Sequence, residues 1–171
     1  IGYRCTGKST VGRRLAGRLT WHFVDSDEQI VHTHGMTIQH IVAAQGWEGF
    51  RDKEKRVMER ICALDRHVVA TGGGVVLDQD TVGRMRKTGV VIWLRAGPET
   101  IRKRMKKDQA AGPLRPSLTA TGADQEVEDV LAQREPLYGQ AAEFQIDTDG
   151  VSPESIGQQI AERIQNREKG K

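Results

Sequence analysis

The amino-acid sequence predicts one three-layer α/β domain, residues 1–171, with a central parallel sheet flanked by helices. Three observations predict it. Short apolar runs alternate with stretches of helical periodicity. The glycines and acids that do not fit a core collect at the carboxyl ends of those runs. A glycine-rich turn also stands at the head of the chain, directly before a helical stripe. Open α/β sheets gather their ligands at such strand ends, so the three observations point to one place.

Taken in order, Ile1 stands directly before the glycine-rich turn and reads as the tail of a first strand cut short. From Lys8 to Leu19, Val11, Leu15 and Leu19 recur every four positions, one stripe of an amphipathic helix. His22-Phe23-Val24 is a short strand run ending in Asp25 and Asp27. Two helical stretches follow, split by Gly35 and Gly46, and then a long one from Arg51 to Asp65. His67 to Ala70 reads as a buried strand broken by Gly72-Gly73-Gly74, and Val90 to Leu94 as another, bounded by Gly89 and Pro98. A helix leads into a polar loop, 108–122, longer than connections in compact domains usually are, and therefore reads as a mobile lid. A helix, the short strand Phe144 to Asp147 and a last helix from Ser152 complete the chain.

Composition excludes several classes. With 37% hydrophobic and 29% charged residues over 171 positions the chain is ordinary for a globular protein. No apolar run reaches the roughly 18 residues of a membrane span, and no charged-then-apolar leader opens the sequence, so no membrane partner and a cytoplasmic setting are expected. The net charge of +3 is spread over helical stretches without an aromatic–basic pattern, which argues against nucleic acid and suits an enzyme with anionic substrates. Cys5 and Cys62 lie in different elements, against a disulfide and for a reducing compartment. The five histidines form no metal-ligating cluster and read as surface residues.

Gly2-Tyr3-Arg4-Cys5-Thr6-Gly7-Lys8-Ser9 fits G-x-x-x-x-G-K-[ST] at every fixed position. Its glycines let backbone N–H groups wrap an anion, and the following helix aims its positive end at the phosphates. Lys8 would reach the β- and γ-phosphates of ATP and Ser9 would ligate Mg²⁺. The strand at 90–94 ends in Arg95 and lacks the Asp that usually completes the magnesium site, which leaves Asp25 as the candidate carboxylate. Asp25 and Asp27 stand two apart, so on a regular strand their side chains face opposite sides, one toward magnesium and one toward an acceptor hydroxyl. Arg51 lies three residues before Glu54, on one helical face. Three consecutive glycines weaken a strand and therefore point to close backbone approach to a ligand.

The order of these motifs resembles the shikimate kinase family over essentially the whole chain. The residues that carry the resemblance are the phosphate loop, Asp25-Ser26-Asp27, Phe50-Arg51-Asp52-Lys53-Glu54, Gly72-Gly73-Gly74, Leu114-Arg115-Pro116, and Arg134 four residues before Tyr138. The resemblance implies a P-loop kinase fold, with substrate-binding helices at about 28–65. It implies transfer of the γ-phosphate of ATP to the 3-hydroxyl of shikimate with Mg²⁺, giving shikimate 3-phosphate and ADP for aromatic amino acid biosynthesis, by a monomer. It assigns Gly2, Cys5, Thr6, Gly7, Lys8, Ser9 and Thr10 to the nucleotide, Pro153 and Arg104 to its adenine, and Asp25 with Ser9 to magnesium. Asp27 would hold the attacking hydroxyl and accept its proton. Arg51, oriented by Glu54, and Arg134 would clamp the substrate carboxylate. Gly72, Gly73 and Gly74 would present N–H groups to the substrate, and Arg115 would close on the phosphates as a third catalytic residue beside Lys8 and Asp27. The chain departs from the family's pattern at Val42, where a Phe often faces the substrate ring, at Ser117, and at Cys5. A gluconate kinase shares the loop and the size but needs no carboxylate clamp. A nucleotide-binding module without transfer activity is the alternative from a different class.

Overall fold

The computed structural model describes residues 1–109 and 123–169. Helix α1, Lys8–Leu19, begins after Gly7, whose φ of 93° turns the chain out of the phosphate loop. It buries Val11, Leu15 and Ala16 on one side, the stripe expected from the four-residue spacing. Strand β1, His22–Asp25, runs into α2, Ser26–His34, without a linker. Gly35 ends α2 in the left-handed conformation at φ 65°, where a β-carbon would be strained. Helix α3, Ile38–Ile61, continues through Gly46, where φ 69° and ψ −179° break the helical path. The division foreseen at Gly46 is therefore a kink inside one element, and it lets residues 47–61 take their own direction across the sheet.

Strand β2, His67–Ala70, pairs in parallel with β1, with Asp25 opposite Ala70. After a short 3₁₀ turn, Val75–Leu77, helix α4, Gln79–Thr88, leads to β3, Ile92–Arg95, and α5, Pro98–Gln109. Helix α6, Ala123–Ala141, precedes β4, Phe144–Asp147, which pairs in parallel with β3, and α7, Pro153–Lys169, follows. Because α5 runs to Gln109, positions 108 and 109 of the expected lid are helical, and 110–122 lie outside the described residues.

Among the described residues the strands form two parallel pairs, β1–β2 and β3–β4. Ile1 joins β3: its nitrogen donates to Ile92 O at 2.8 Å and its carbonyl accepts from Leu94 N at 3.0 Å. An apolar slot of about 390 Å³, lined by Ile1, Met58, Val69, Met85 and Val91 among others, separates the pairs. Three apolar clusters surround the strands. One joins α3, α4 and Trp93 with Tyr138; one joins Tyr3 to α5 and α6; one joins α1, β3, β4 and α7. Among the described residues no helix is long and apolar enough to cross a membrane.

The ends of β1 and β2 lie side by side because the two strands pair in parallel, and the phosphate loop meets the end of β1 through Ser9 and Asp25, the end of β3 at Leu94 and the glycines after β2 at Gly73. Helix α1 is held close to β1 by Gly12, where a β-carbon would stand 2.6 Å from Phe23 Cε2. Gly12→Ala should therefore lower stability by about 1–3 kcal/mol through overpacking. Gly17→Ala, on the same helix with open space around it, should raise it by up to about 1 kcal/mol. Urea unfolding of the two variants separates a packing requirement from helix propensity; equal effects would refute the close approach.

Candidate active site

The phosphate loop takes its shape from positive φ angles at Gly2, Cys5 and Gly7, at 140°, 61° and 93°. At Gly2 a β-carbon would stand 2.4 Å from the Leu94 carbonyl oxygen, so only glycine lets the loop pass this close to β3. Cys5 holds its left-handed conformation without that freedom, a strain of roughly 1–3 kcal/mol that the surrounding loop sustains. No side chain caps α1, and its first turn holds no acid, so the positive end of the helix faces the loop. Lys8 Nζ and Thr6 Oγ1 both donate to the Tyr3 carbonyl, at 2.7 and 2.9 Å. Thr10 follows on the exposed side of α1.

Ser9 Oγ donates to Asp25 Oδ2 at 2.6 Å. The other oxygen of Asp25 caps α2, accepting from Asp27 N at 3.0 Å and Glu28 N at 3.5 Å. Asp27 belongs to the first turn of α2, not to the strand. The two acids do diverge, but the cause is a strand–helix junction rather than the alternation of a strand. Asp27 Oδ1 faces Gly72, where a β-carbon would come within 2.8 Å of it.

Arg104 donates to Cys5 O at 3.2 Å, to Thr148 Oγ1 at 3.0 Å and to Thr148 O at 2.8 Å. It thereby joins the phosphate loop to the segment that leads from β4 into α7, at whose first position Pro153 stands. The Cys5 thiol meets Asp108 Oδ2 at 3.4 Å. Arg115, with Leu114, Pro116 and Ser117, lies outside the described residues.

Beside the loop lies a second cavity, of about 80 Å³, lined by Asp27, Arg51, Glu54, the three glycines and Arg134. The glycines are required by the site's own side chains. A β-carbon at Gly74 would meet Arg51 Nη2 at 2.0 Å, and one at Gly72 would meet Glu54 Oε1 at 2.6 Å. The Gly72 N–H donates to Ser26 Oγ at 2.9 Å, which corrects the expectation that all three glycines offer their N–H groups to substrate. The Gly73 carbonyl accepts from Arg134 Nη1 at 3.2 Å and from Tyr138 Oη at 2.5 Å. Burial pushes the Tyr138 phenol up to about 12, against the pull of Arg134, so it remains a donor at any working pH.

Arg51 pairs with Glu54 Oε2 and stands over the rings of Phe50 and Trp47, at 5.1 and 5.7 Å from their centroids. Glu54 Oε1 is buried, and among the described residues it has no hydrogen-bond partner. Burial raises the Glu54 carboxyl above its ordinary range, outweighing the adjacent Arg51 guanidinium, and the Asp27 charge adds to the rise.

Tyr3, Arg4 and Trp47 also line this cavity, and spacing alone did not reveal them. Trp47 had a signal, an aromatic residue four positions before Arg51; Tyr3 and Arg4 filled variable places of the motif. Val42 packs half-buried against the core instead of lining the cavity. Of the histidines read as surface residues, His34 and His67 are half-buried.

The shikimate kinase family model matches residues 4–165. The chain belongs to the shikimate kinase family. A shikimate kinase of Thermodesulfovibrio yellowstonii is 37% identical over 171 residues, covering all of this chain and 96% of that one. One from Nitratidesulfovibrio vulgaris is 43% identical over 142 residues, 83% of this chain and 81% of its own. Among solved structures, the shikimate kinase of Acinetobacter baumannii in complex with shikimate superposes with a TM-score of 0.90 at 32% identity, covering 97% of this chain and 90% of that one.

For this shikimate kinase family member, the raised Glu54 carboxyl has a consequence for stability. A folded-state pKa above the unfolded value means the native state binds the extra proton between the two, so stability falls as pH rises through that interval. Glu54→Gln does not titrate. Its stability relative to wild type should therefore improve as pH rises from about 4.5, the carboxyl's ordinary value, toward neutrality. Urea unfolding at stepped pH measures it; a pH-independent difference would show Glu54 unperturbed.

Proposed function

We propose that the phosphate loop and the neighbouring cavity are the two halves of one phosphotransferase site. The chain phosphorylates shikimate at the expense of ATP. The observation that carries this reading is the contact between the halves: at Gly73 a β-carbon would lie 3.2 Å from Gly2 O and 3.5 Å from Arg4 N. A pocket lined by the guanidinium groups of Arg4, Arg51 and Arg134 and the carboxylates of Asp27 and Glu54 thus abuts the loop built for phosphate.

Each residue then has a task. Loop N–H groups and Lys8 take the phosphates. Arg104 and Pro153 flank the base. Arg51 and Arg134 clamp the ring carboxylate by charge-assisted hydrogen bonds, with Glu54 and the aromatic faces fixing Arg51. Asp27 orients the 3-hydroxyl and accepts its proton as the γ-phosphate moves, leaving shikimate 3-phosphate and ADP. Holding donor and acceptor in line and neutralising charge supply most of the rate in such chemistry. Ser9 Oγ and Asp25 Oδ2, two hard oxygen donors that already converge, suit Mg²⁺. When bound there, the ion would neutralise charge on the phosphates. Both halves come from one chain, so a monomer is the proposed working unit, acting in the cytoplasm, where ATP is made.

A coupled ADP-release assay tests the reading. ATP consumption should rise sharply with shikimate and stay near background with gluconate, nucleoside monophosphates or water; equal consumption with and without shikimate would sink it.

The clamp and the chemistry separate by mutation. Removing one partner of a buried charge pair costs about 2–5 kcal/mol, so Arg51→Ala should raise the shikimate KM tens- to thousands-fold with little change for ATP. Asp27→Asn should lower kcat instead. The check is an acceptor whose carboxylate is replaced by an amide: wild type should lose heavily on it and Arg51→Ala little further. Equal penalties would return Arg51 to a structural role.

A further inference from the structure

The phosphate loop and the acceptor pocket are also joined at a distance, through α6. Arg4, inside the loop, donates from Nη2 to Glu126 Oε1 at 2.7 Å. Both side chains are withdrawn from water, with 12% of Arg4 and 2% of Glu126 exposed. A carboxylate buried to that depth needs compensating charge or hydrogen bonds, and Arg4 supplies a charge, which restricts where the Arg4 side chain can sit.

Arg134 and Tyr138 stand one turn apart on the same face of α6, and Glu126 lies on the same helix, eight residues before Arg134. Glu126 holds the loop, and the other two hold the Gly73 carbonyl. Gly73 in turn lies against the backbone of Gly2 and Arg4. Tyr3 reinforces the junction, buried among Ile101, Met105, Val127 and Leu131 of α5 and α6. The charges of Arg4, Glu126 and Arg134 all act on its phenol. The contacts close a ring: loop, α6, triple glycine, loop. By contrast Glu128, also on α6, pairs with Arg102 on the exposed side of the helix and takes no part in the ring.

We propose that Glu126 is a positioning residue that couples the two substrates: by holding Arg4 it ties α6 to the phosphate loop, so that a loop settled on nucleotide sets Arg134 against the acceptor carboxylate. The proposal rests on the phosphotransferase reading. Linkage makes the coupling reciprocal, so acceptor must strengthen nucleotide binding by the same factor.

The experiment is calorimetric titration of the full chain with shikimate, with and without magnesium adenylyl imidodiphosphate, repeated in the opposite order. Wild type should bind shikimate at least about fivefold tighter with the nucleotide present, the lower end of usual coupling. Glu126→Gln keeps size and a hydrogen-bond acceptor but removes the charge, and its tightening should fall below about twofold, while Glu126→Asp restores part of it. Glu128→Gln should keep the wild-type ratio. Thermal melts establish that each variant is folded. Should Glu126→Gln not fold, Arg4→Gln/Glu126→Gln, which removes both charges of the pair, takes its place with the same expectation. The ratio cancels any uniform loss of affinity, which a merely structural role would produce. A folded variant with the wild-type ratio would overturn the proposal, as would wild type that turns over shikimate without any tightening. Wild type that neither binds nor turns over shikimate would instead overturn the phosphotransferase reading, and the coupling with it.

Discussion

Three successive residues without side chains let an arginine, two carboxylates and a tyrosine close on the end of β2, and the pocket takes its form from that convergence. Any β-carbon at Gly72 or Gly74 would overlap Glu54, Asp27 or Arg51. None of the three glycines has a positive φ, so the requirement is space alone. The Gly73 carbonyl then becomes the common acceptor for α6, through Arg134 and Tyr138. A half-buried carbonyl serving two donors is well satisfied, and it helps fix the orientation of each donor.

The electrostatics follow from the same crowding. Glu54 and Asp27 approach each other across Gly72, and the Arg51 and Arg134 charges offset part of the burial and repulsion that raise the Glu54 carboxyl. Positive charge is therefore concentrated around the pocket by the acids that need it. On the proposed reading, an anionic acceptor would enter a site whose cations are already oriented, which lowers the ordering cost of binding.

Much of this was legible in the sequence, for physical reasons that differ by residue. The phosphate loop declares itself because its chemistry needs fixed types at fixed spacing within eight residues. Arg51 and Glu54 are legible because one helical turn joins them. The place of Asp27 was legible, but its cause was not: a cap formed by Asp25 turns the chain before strand alternation can act. Glu126 gave no signal, since its meaning depends on Arg4, 122 residues away.

Lys8 carries a consequence for how nucleotide affinity is built. Its ammonium already rests on the carbonyl of Tyr3, inside its own loop. An ammonium carries three donors, and one of them is already committed. On the proposed reading, phosphate oxygens would therefore meet a head group that its own loop has oriented rather than a freely rotating ion. Part of the side-chain ordering is then met during folding, and the same contact ties the lysine back into its loop between turnovers.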